Sequence, residues 1–320
     1  MTSEFDLIQR YFTRQAHSVV LGIGDDCALV RPPEGMGMAI TTDMLCEGTH
    51  FFPDVDPASL GHKTLAVNLS DIAAMGADPR WATLAVALPR VDEAWLAQFT
   101  EGFFALAERF GVELIGGDTT RGPLTLSLTM MGTYPLGYAL RRDGASVGDD
   151  LWVSGETGGA ALAVAHRRGR IQLPEPALAY CAHRLDWPEP RIGLGRALRT
   201  IATSAIDVSD GLVAAVGHLC ERAKVDARIN VDLLPVAASV QGSGIDPTSI
   251  RTAMLAGGDD YELAFTAPAA ARRDVLALAA KLGLSLTPVG RVVAGSGSVQ
   301  VSDSQGVAIP LTAGGFDHFR

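Results

Sequence analysis

Six times along this 320-residue chain, small or polar residues, mostly at the end of an apolar run, lead into one or two aspartates. The device stands at Gly24-Asp-Asp26, Thr42-Asp43, Ser70-Asp71, Gly116-Gly-Asp118, Asp207-Val-Ser-Asp210 and Gly258-Asp-Asp260. Each apolar run reads as a buried element with its aspartate at the mouth. At any one position ordinary turn chemistry is explanation enough, because Gly and Asp are favoured there for backbone reasons. Six together are harder to explain that way, since Asn or Ser would serve a turn as well. Carboxylates brought together repel unless they are protonated or counter-charged. A hard cation meets that need, because magnesium takes oxygen ligands and is commonly held by a few carboxylates together with substrate phosphates. No His-x-x-x-His pair and no cysteine cluster points to zinc. The pattern therefore predicts metal-bridged polyphosphate chemistry.

The length favours two domains over one core. Hydrophobic residues make up 48% of the chain but aromatics only 6%, so the cores must be built from Ala, Leu, Val and Ile. Val19-Val20-Leu21 and Met38-Ala-Ile40 predict short strands that end in polar turns. A helical pattern runs from about Pro57 to Met75 and stops at Gly76. A second helix has Asp92 as N-cap, a face of Trp95, Phe99, Phe103, Leu106 and Phe110, and Gly111 as its stop. A strand at 112–115 follows, and the alternation of Leu124, Leu126, Leu128 and Met130 predicts a half-buried strand. The turn-rich Gly144–Asp150 stretch places the boundary, giving domains 1–143 and 144–320. Beyond it come a strand at 151–153, an Ala-rich helix over about 158–168, a link containing Pro188 and Pro190, and a helix from about Ile192. A strand–turn–helix starts near Ala205. Helices and strands mix in both halves, which predicts α/β (α+β) layers, mixed sheets packed with helices.

A net charge of −10 argues against nucleic-acid binding, which relies on basic patches. Cys27, Cys46, Cys181 and Cys220 form no CxxC pair and read as reduced thiols. The N-terminus carries no secretory pattern, and no apolar stretch reaches the length of about 18 residues that suggests a membrane span. The expectation is a cytoplasmic protein with no membrane partner. Familiar nucleotide signatures fail as well. Gly61-His-Lys-Thr64 lacks the upstream glycine and the Gly-Lys adjacency of a P-loop. Gly22-Ile-Gly24 has Cys27 where a dinucleotide fingerprint needs its third glycine. The protein-kinase set is absent.

The blocks Gly22–Ala28, Thr41-Thr-Asp43, Val67–Pro79 (VNLSDIAAMGADP), Ile115–Gly122 (IGGDTTRG), Ser204–Leu212 (SAIDVSDGL), Gly257–Leu263 (GGDDYEL) and Gly315–Phe319 (GFDHF) resemble the thiamine-monophosphate kinase family, in family order over essentially the whole chain. The resemblance implies a two-domain fold of the aminoimidazole-ribonucleotide-synthetase-like superfamily, with N-terminal domains pairing in a homodimer. It implies ATP and thiamine phosphate as substrates and thiamine diphosphate and ADP as products, by direct in-line transfer assisted by several Mg2+ ions. The acceptor is already a phosphate oxygen, so catalysis reduces to alignment and charge neutralisation.

Position by position, the resemblance makes Asp26, Asp43, Asp71, Asp118, Asp207 and Asp210 metal ligands, with Thr41 and Thr42 as added oxygen donors. Gly117, Asp118 and Ser209 match nucleotide contacts. Arg142 matches a phosphate-binding arginine, with Arg141 beside it as a competitor, and a guanidinium suits that task because it binds phosphate bidentately. Asp71, Asp118, Asp207 and Arg142 form the catalytic set, and His50, Asp260 and Phe316 match the thiamine phosphate positions. Two departures stand out: Asp259 replaces the family's usual glutamate, and Phe316 its usual Tyr or Trp. Rival readings are another ATP-dependent enzyme of the superfamily, such as a selenophosphate synthetase, whose reactive Cys or Sec Cys27 matches poorly, and a non-catalytic nucleotide-binding scaffold. Both halves contribute aspartates, so the expected active site lies between the domains.

Overall fold

The computed structural model describes residues 3–310 and residue 315. The chain divides into one unit of Met1–Ile72 with Ala77–Gly137 and a second of Ala73–Gly76 with Tyr138–Arg320.

The first unit opens with the short helix α1 (Glu4–Leu7). It continues through β1 (Met36–Cys46), α2 (Pro57–Ala74), β2 (Asp78–Leu88), α3 (Glu93–Phe110), β3 (Glu113–Arg121) and β4 (Thr125–Pro135). The four strands form a sheet in the order β1-β4-β2-β3, in which only the β2–β3 pair is parallel, as a crossover through α3 requires. Helix α3 follows its sequence signals. The Asp92 side chain accepts from the Trp95 N–H at 3.1 Å, Gly111 caps the end in the left-handed region, and Phe99, Phe103 and Leu106 are buried. Helices α2 and α3 touch backbone to backbone. A Cβ at Gly61 would stand 1.9 Å from the Phe99 carbonyl oxygen, and one at Gly102 1.9 Å from that of Ala58. Only glycine permits that crossing.

Two expectations need correcting. Val19-Val20-Leu21 is not a strand: Leu21 makes an isolated bridge to Leu29, and Val20 is 63% exposed. Glycines and aspartates follow at once, so the run is too short to bury a face. Nor do the aspartates all sit at the mouth of an element: β1 continues through Thr41-Thr-Asp43 to Cys46, Asp71 lies within α2 and Asp118 within β3. One face of the β1 strand is open, with Ile40, Thr42 and Met44 all exposed, and polar residues are tolerated there.

The second unit contains β5 (Asp150–Ser154), α4 (Gly159–Arg167), α5 (Ala177–Asp186), α6 (Ile192–Leu198), β6 (Ser204–Val208), α7 (Leu212–Ala223) and β7 (Asp226–Asn230). After these come α8 (Ala238–Gln241), α9 (Pro247–Ala256), β8 (Glu262–Ala267), α10 (Arg272–Leu282), β9 (Leu286–Val293) and β10 (Val299–Ser302). Six strands pair in the order β10-β7-β9-β5-β8-β6, antiparallel except for β10 with β7. Strands β5, β6 and β8 are buried at every residue, so their sequences read as near-continuous apolar runs rather than alternations. Leu151, Val153, Ile206, Val208 and Ala264 share one core with Val216 and Leu219 of α7. Trp152 and Phe265 stack across β5 and β8 with ring centroids 6.2 Å apart.

Candidate active site

In the first unit, strand register decides which candidate oxygens share a face. Thr42 pairs with Thr129, Thr129 with Thr83, and Thr83 with Gly116. Two residues along, Met44, Ser127, Ala85 and Asp118 form the next row on the same face. Thr42 and Asp118 therefore lie on the open face, both exposed, with the Thr42 and Thr129 hydroxyls 2.8 Å apart. Thr41 and Asp43 point the other way, in rows with the buried Met130 and Leu128. There the Thr41 hydroxyl donates to the Asp71 carboxylate, which α2 brings over the sheet. Gly117 sits so close to β2 that a Cβ would fall 1.9 Å from the Leu84 carbonyl oxygen, and its φ is +152°. That contact seats Asp118 at its place on β3.

Asp26 is exposed in an irregular segment, its N–H donating to the Asp25 carboxylate at 2.9 Å. His50 lies in the turn after β1, where its Nδ1 accepts the Cys46 N–H at 3.0 Å, so the neutral ring carries its proton on Nε2.

In the second unit three turns meet at one end of the sheet. Antiparallel β6 and β8 place Val208 opposite Glu262, so the Ser209-Asp210-Gly211 turn adjoins the Gly257–Tyr261 loop. The Asp259 N–H donates to Ser209 O at 2.7 Å and the Tyr261 N–H to Val208 O at 2.9 Å. The third turn, Gly155–Gly158, is held by Asp260, whose two carboxylate oxygens both lie 2.8 Å from the Gly158 nitrogen. Asp207 is 6% exposed on β6, Ser209 half-buried and Asp210 exposed. Helix α7 starts immediately after Gly211, so its free N–H groups favour anions at this end of the sheet. Burial pushes the Asp260 carboxyl well above the usual carboxylate range, against the opposing pull of the Gly158 N–H and Arg184. Asp259 is the more exposed acid of the pair, and it and Tyr261 hold positive φ values of 68° and 52°.

Arg141 and Arg142 separate cleanly. Arg141 forms an ion pair with Asp143, its Nε donating at 2.9 Å, while Arg142 is exposed and unpaired among the described residues. Phe316 lies outside the described residues. No group of three or more His, Cys, Asp or Glu side chains among the described residues is gathered closely enough to hold a metal. The donors present are carboxylates and hydroxyls, the chemistry that suits a hard cation. Sequence reasoning missed Arg184, Arg191 and Glu262, which form a buried ion-pair group beneath the Gly257–Tyr261 loop. The available signal was a charged residue opening the apolar run Glu262–Ala267.

Residues 24–134 match the family described as AIR synthase related protein, N-terminal domain, and residues 146–302 match the corresponding C-terminal domain. The fold and the two domain matches thus define an AIR-synthase-related protein. Thiamine-monophosphate kinase from Salmonella typhimurium is 46% identical, over 99% of this chain and 98% of that one. The crystal structure of thiamine-monophosphate kinase from Stenotrophomonas maltophilia superposes with a TM-score of 0.87 at 45% identity, covering 96% of this chain and 98% of that one. AaThiL, solved in complex with AMPPCP and TMP, gives a TM-score of 0.75 at 30% identity, covering 89% and 90% of the two chains. The chain belongs to the thiamine-monophosphate kinase family. It is accordingly a phosphotransferase, a kinase whose acceptor is a phosphate group.

Proposed function

We propose that this protein transfers the γ-phosphoryl group of ATP to thiamine phosphate with the help of magnesium, yielding thiamine diphosphate. The observation that carries the reading is full-length identity of 46% to a thiamine-monophosphate kinase, joined to aspartates and hydroxyls at each expected ligand position. In the first unit Asp26, Thr41, Thr42, Asp43, Asp71 and Asp118 are the metal donors, and Gly117 and Asp118 contact nucleotide. In the second, Asp207 and Asp210 are donors and Ser209 contacts nucleotide. Bound magnesium supplies charge neutralisation on the polyphosphate.

The chain's own residues do the rest by placement. Arg142, free of the pairing that occupies Arg141, is the guanidinium for the transferring phosphate. An acceptor oxygen that is ionised at neutral pH needs no general base, so aligned in-line attack is sufficient. His50, Phe316 and the loop bearing Asp260 receive thiamine phosphate, Asp260 shaping that loop through its bonds to Gly158. The domains responsible are residues 1–143 and 144–320. First units pair in a homodimer, a reading that the exposure of the apolar Ile40 (64%) and Met44 (54%) on β1 supports. The free cysteines and acidic composition suit the cytoplasm. No helix among the described residues is long and apolar enough to cross a membrane.

Asp71→Asn and Asp118→Asn test the assignment. Each should lower turnover by about a hundredfold or more, the scale of several kcal/mol of lost charge stabilisation, with circular dichroism and melting near wild type. Near-normal turnover in both would remove the metal assignment.

A further inference from the structure

Glu262 is fully buried where β8 begins, and its carboxylate is held on every side. It accepts from Ser154 Oγ at 2.6 Å, from Arg191 Nε and Nη2 at 2.6 and 2.5 Å, and from Arg184 Nη2 at 2.8 Å. The two arginines differ in what else they reach. Arg184 Nη2 also donates to the backbone carbonyl of Asp260 at 3.1 Å and to that of Glu156 at 3.4 Å. One guanidinium nitrogen thus joins the buried carboxylate to the backbone of both the Gly257–Tyr261 loop and the Gly155–Gly158 turn.

This arrangement is not the one stability alone favours. Buried ion groups are often replaceable by well-packed apolar residues at no loss. Arg184 Nε, moreover, is buried with no hydrogen-bond partner among the described residues, which adds to the desolvation cost of the group. The loop it grips holds two non-glycine residues, Asp259 and Tyr261, at positive φ. Strain of this kind persists only where surrounding contacts over-determine it, and it gathers at functional sites.

We propose that Arg184 is a positioning residue for the phosphate-acceptor substrate, fixing the Gly257–Tyr261 loop to the Glu262 anchor and so setting the half-exposed Asp259 side chain within that loop. The proposal rests on the reading of this loop as a thiamine phosphate element. Arg191 shares the carboxylate but, among the described residues, donates no hydrogen bond to the loop backbone, which makes it the internal control.

Arg184→Met and Arg191→Met each remove one guanidinium from Glu262 and should lower Tm to a similar degree. Only Arg184→Met should raise KM for thiamine phosphate, by about tenfold, with KM for ATP nearly unchanged. Only Arg184→Met should also speed hydrogen exchange at the Asp259 and Tyr261 amides, and Arg184→Lys should restore part of both effects. Arg184→Gln, too short to span, is read the same way if the methionine variant does not fold. Equal KM changes in the two arginine variants, or unaltered exchange in the Arg184 variant, would overturn the proposal. Should the wild type not turn over thiamine phosphate, the functional reading falls, while the exchange experiment still decides whether Arg184 holds the loop.

Discussion

Asp260 is 1% exposed, and both its oxygens lean on the single N–H of Gly158. Burial raises its pKa in the folded protein above the ordinary carboxylate value of about 3.9 that it has when unfolded. Below that value the group is protonated in both states, and its neutral burial costs nothing in titration. As pH rises from there through the folded pKa, the unfolded chain releases the proton first and stability falls. Asp260→Asn keeps an acceptor for Gly158 without the ionisation. Its Tm advantage over wild type should therefore be small at pH 4 and widen toward pH 8. A constant difference across that range would show that Asp260 stays ionised in the fold. Asp259, next in the chain yet half-exposed, illustrates why residue type alone does not separate a buried acid from a presented one.

At the scale of elements, backbone contact determines what the sequence tolerates. Gly102→Ala would force a Cβ to within 1.9 Å of the Ala58 carbonyl oxygen at the α2–α3 crossing. The helices would have to part, so a loss of about 1–3 kcal/mol is expected in denaturant unfolding. Gly217, inside α7, is the contrast: its Cβ would meet nothing nearer than Val299 at 4.0 Å. Gly217→Ala should stabilise by about 0.5–1 kcal/mol through helix propensity. These elements also show where sequence reading succeeds. Helix α3 was legible from cap to cap because local chemistry fixes both ends. Strand β1 was not, because its polar open face resembles a turn until β4 is seen lying beside it. Asp43 and Asp118 were legible as aspartates of interest, but their opposite faces follow only from register, which is non-local information.

For the molecule as a whole, the first unit leaves Ile40 and Met44 uncovered on one face of a sheet whose other face carries α2. If that face pairs two copies, Ile40→Glu should shift the mass measured by light scattering from dimer to monomer at micromolar concentration. A wild-type protein already monomeric there would contradict the pairing. The family is legible from end to end because its blocks recur in order over the chain, whereas the Arg184–Glu262–Arg191 group was not, since its members lie far apart in sequence and meet only in the folded unit. Phosphoryl transfer from ATP to thiamine phosphate is the reaction at stake. Purified protein with ATP and thiamine phosphate, resolved by chromatography with magnesium and then with excess chelator, tests it most directly. Equimolar ADP and thiamine diphosphate are expected with magnesium and neither with chelator. Folded, ATP-binding protein that forms no thiamine diphosphate, or forms it equally well in chelator, would contradict that expectation.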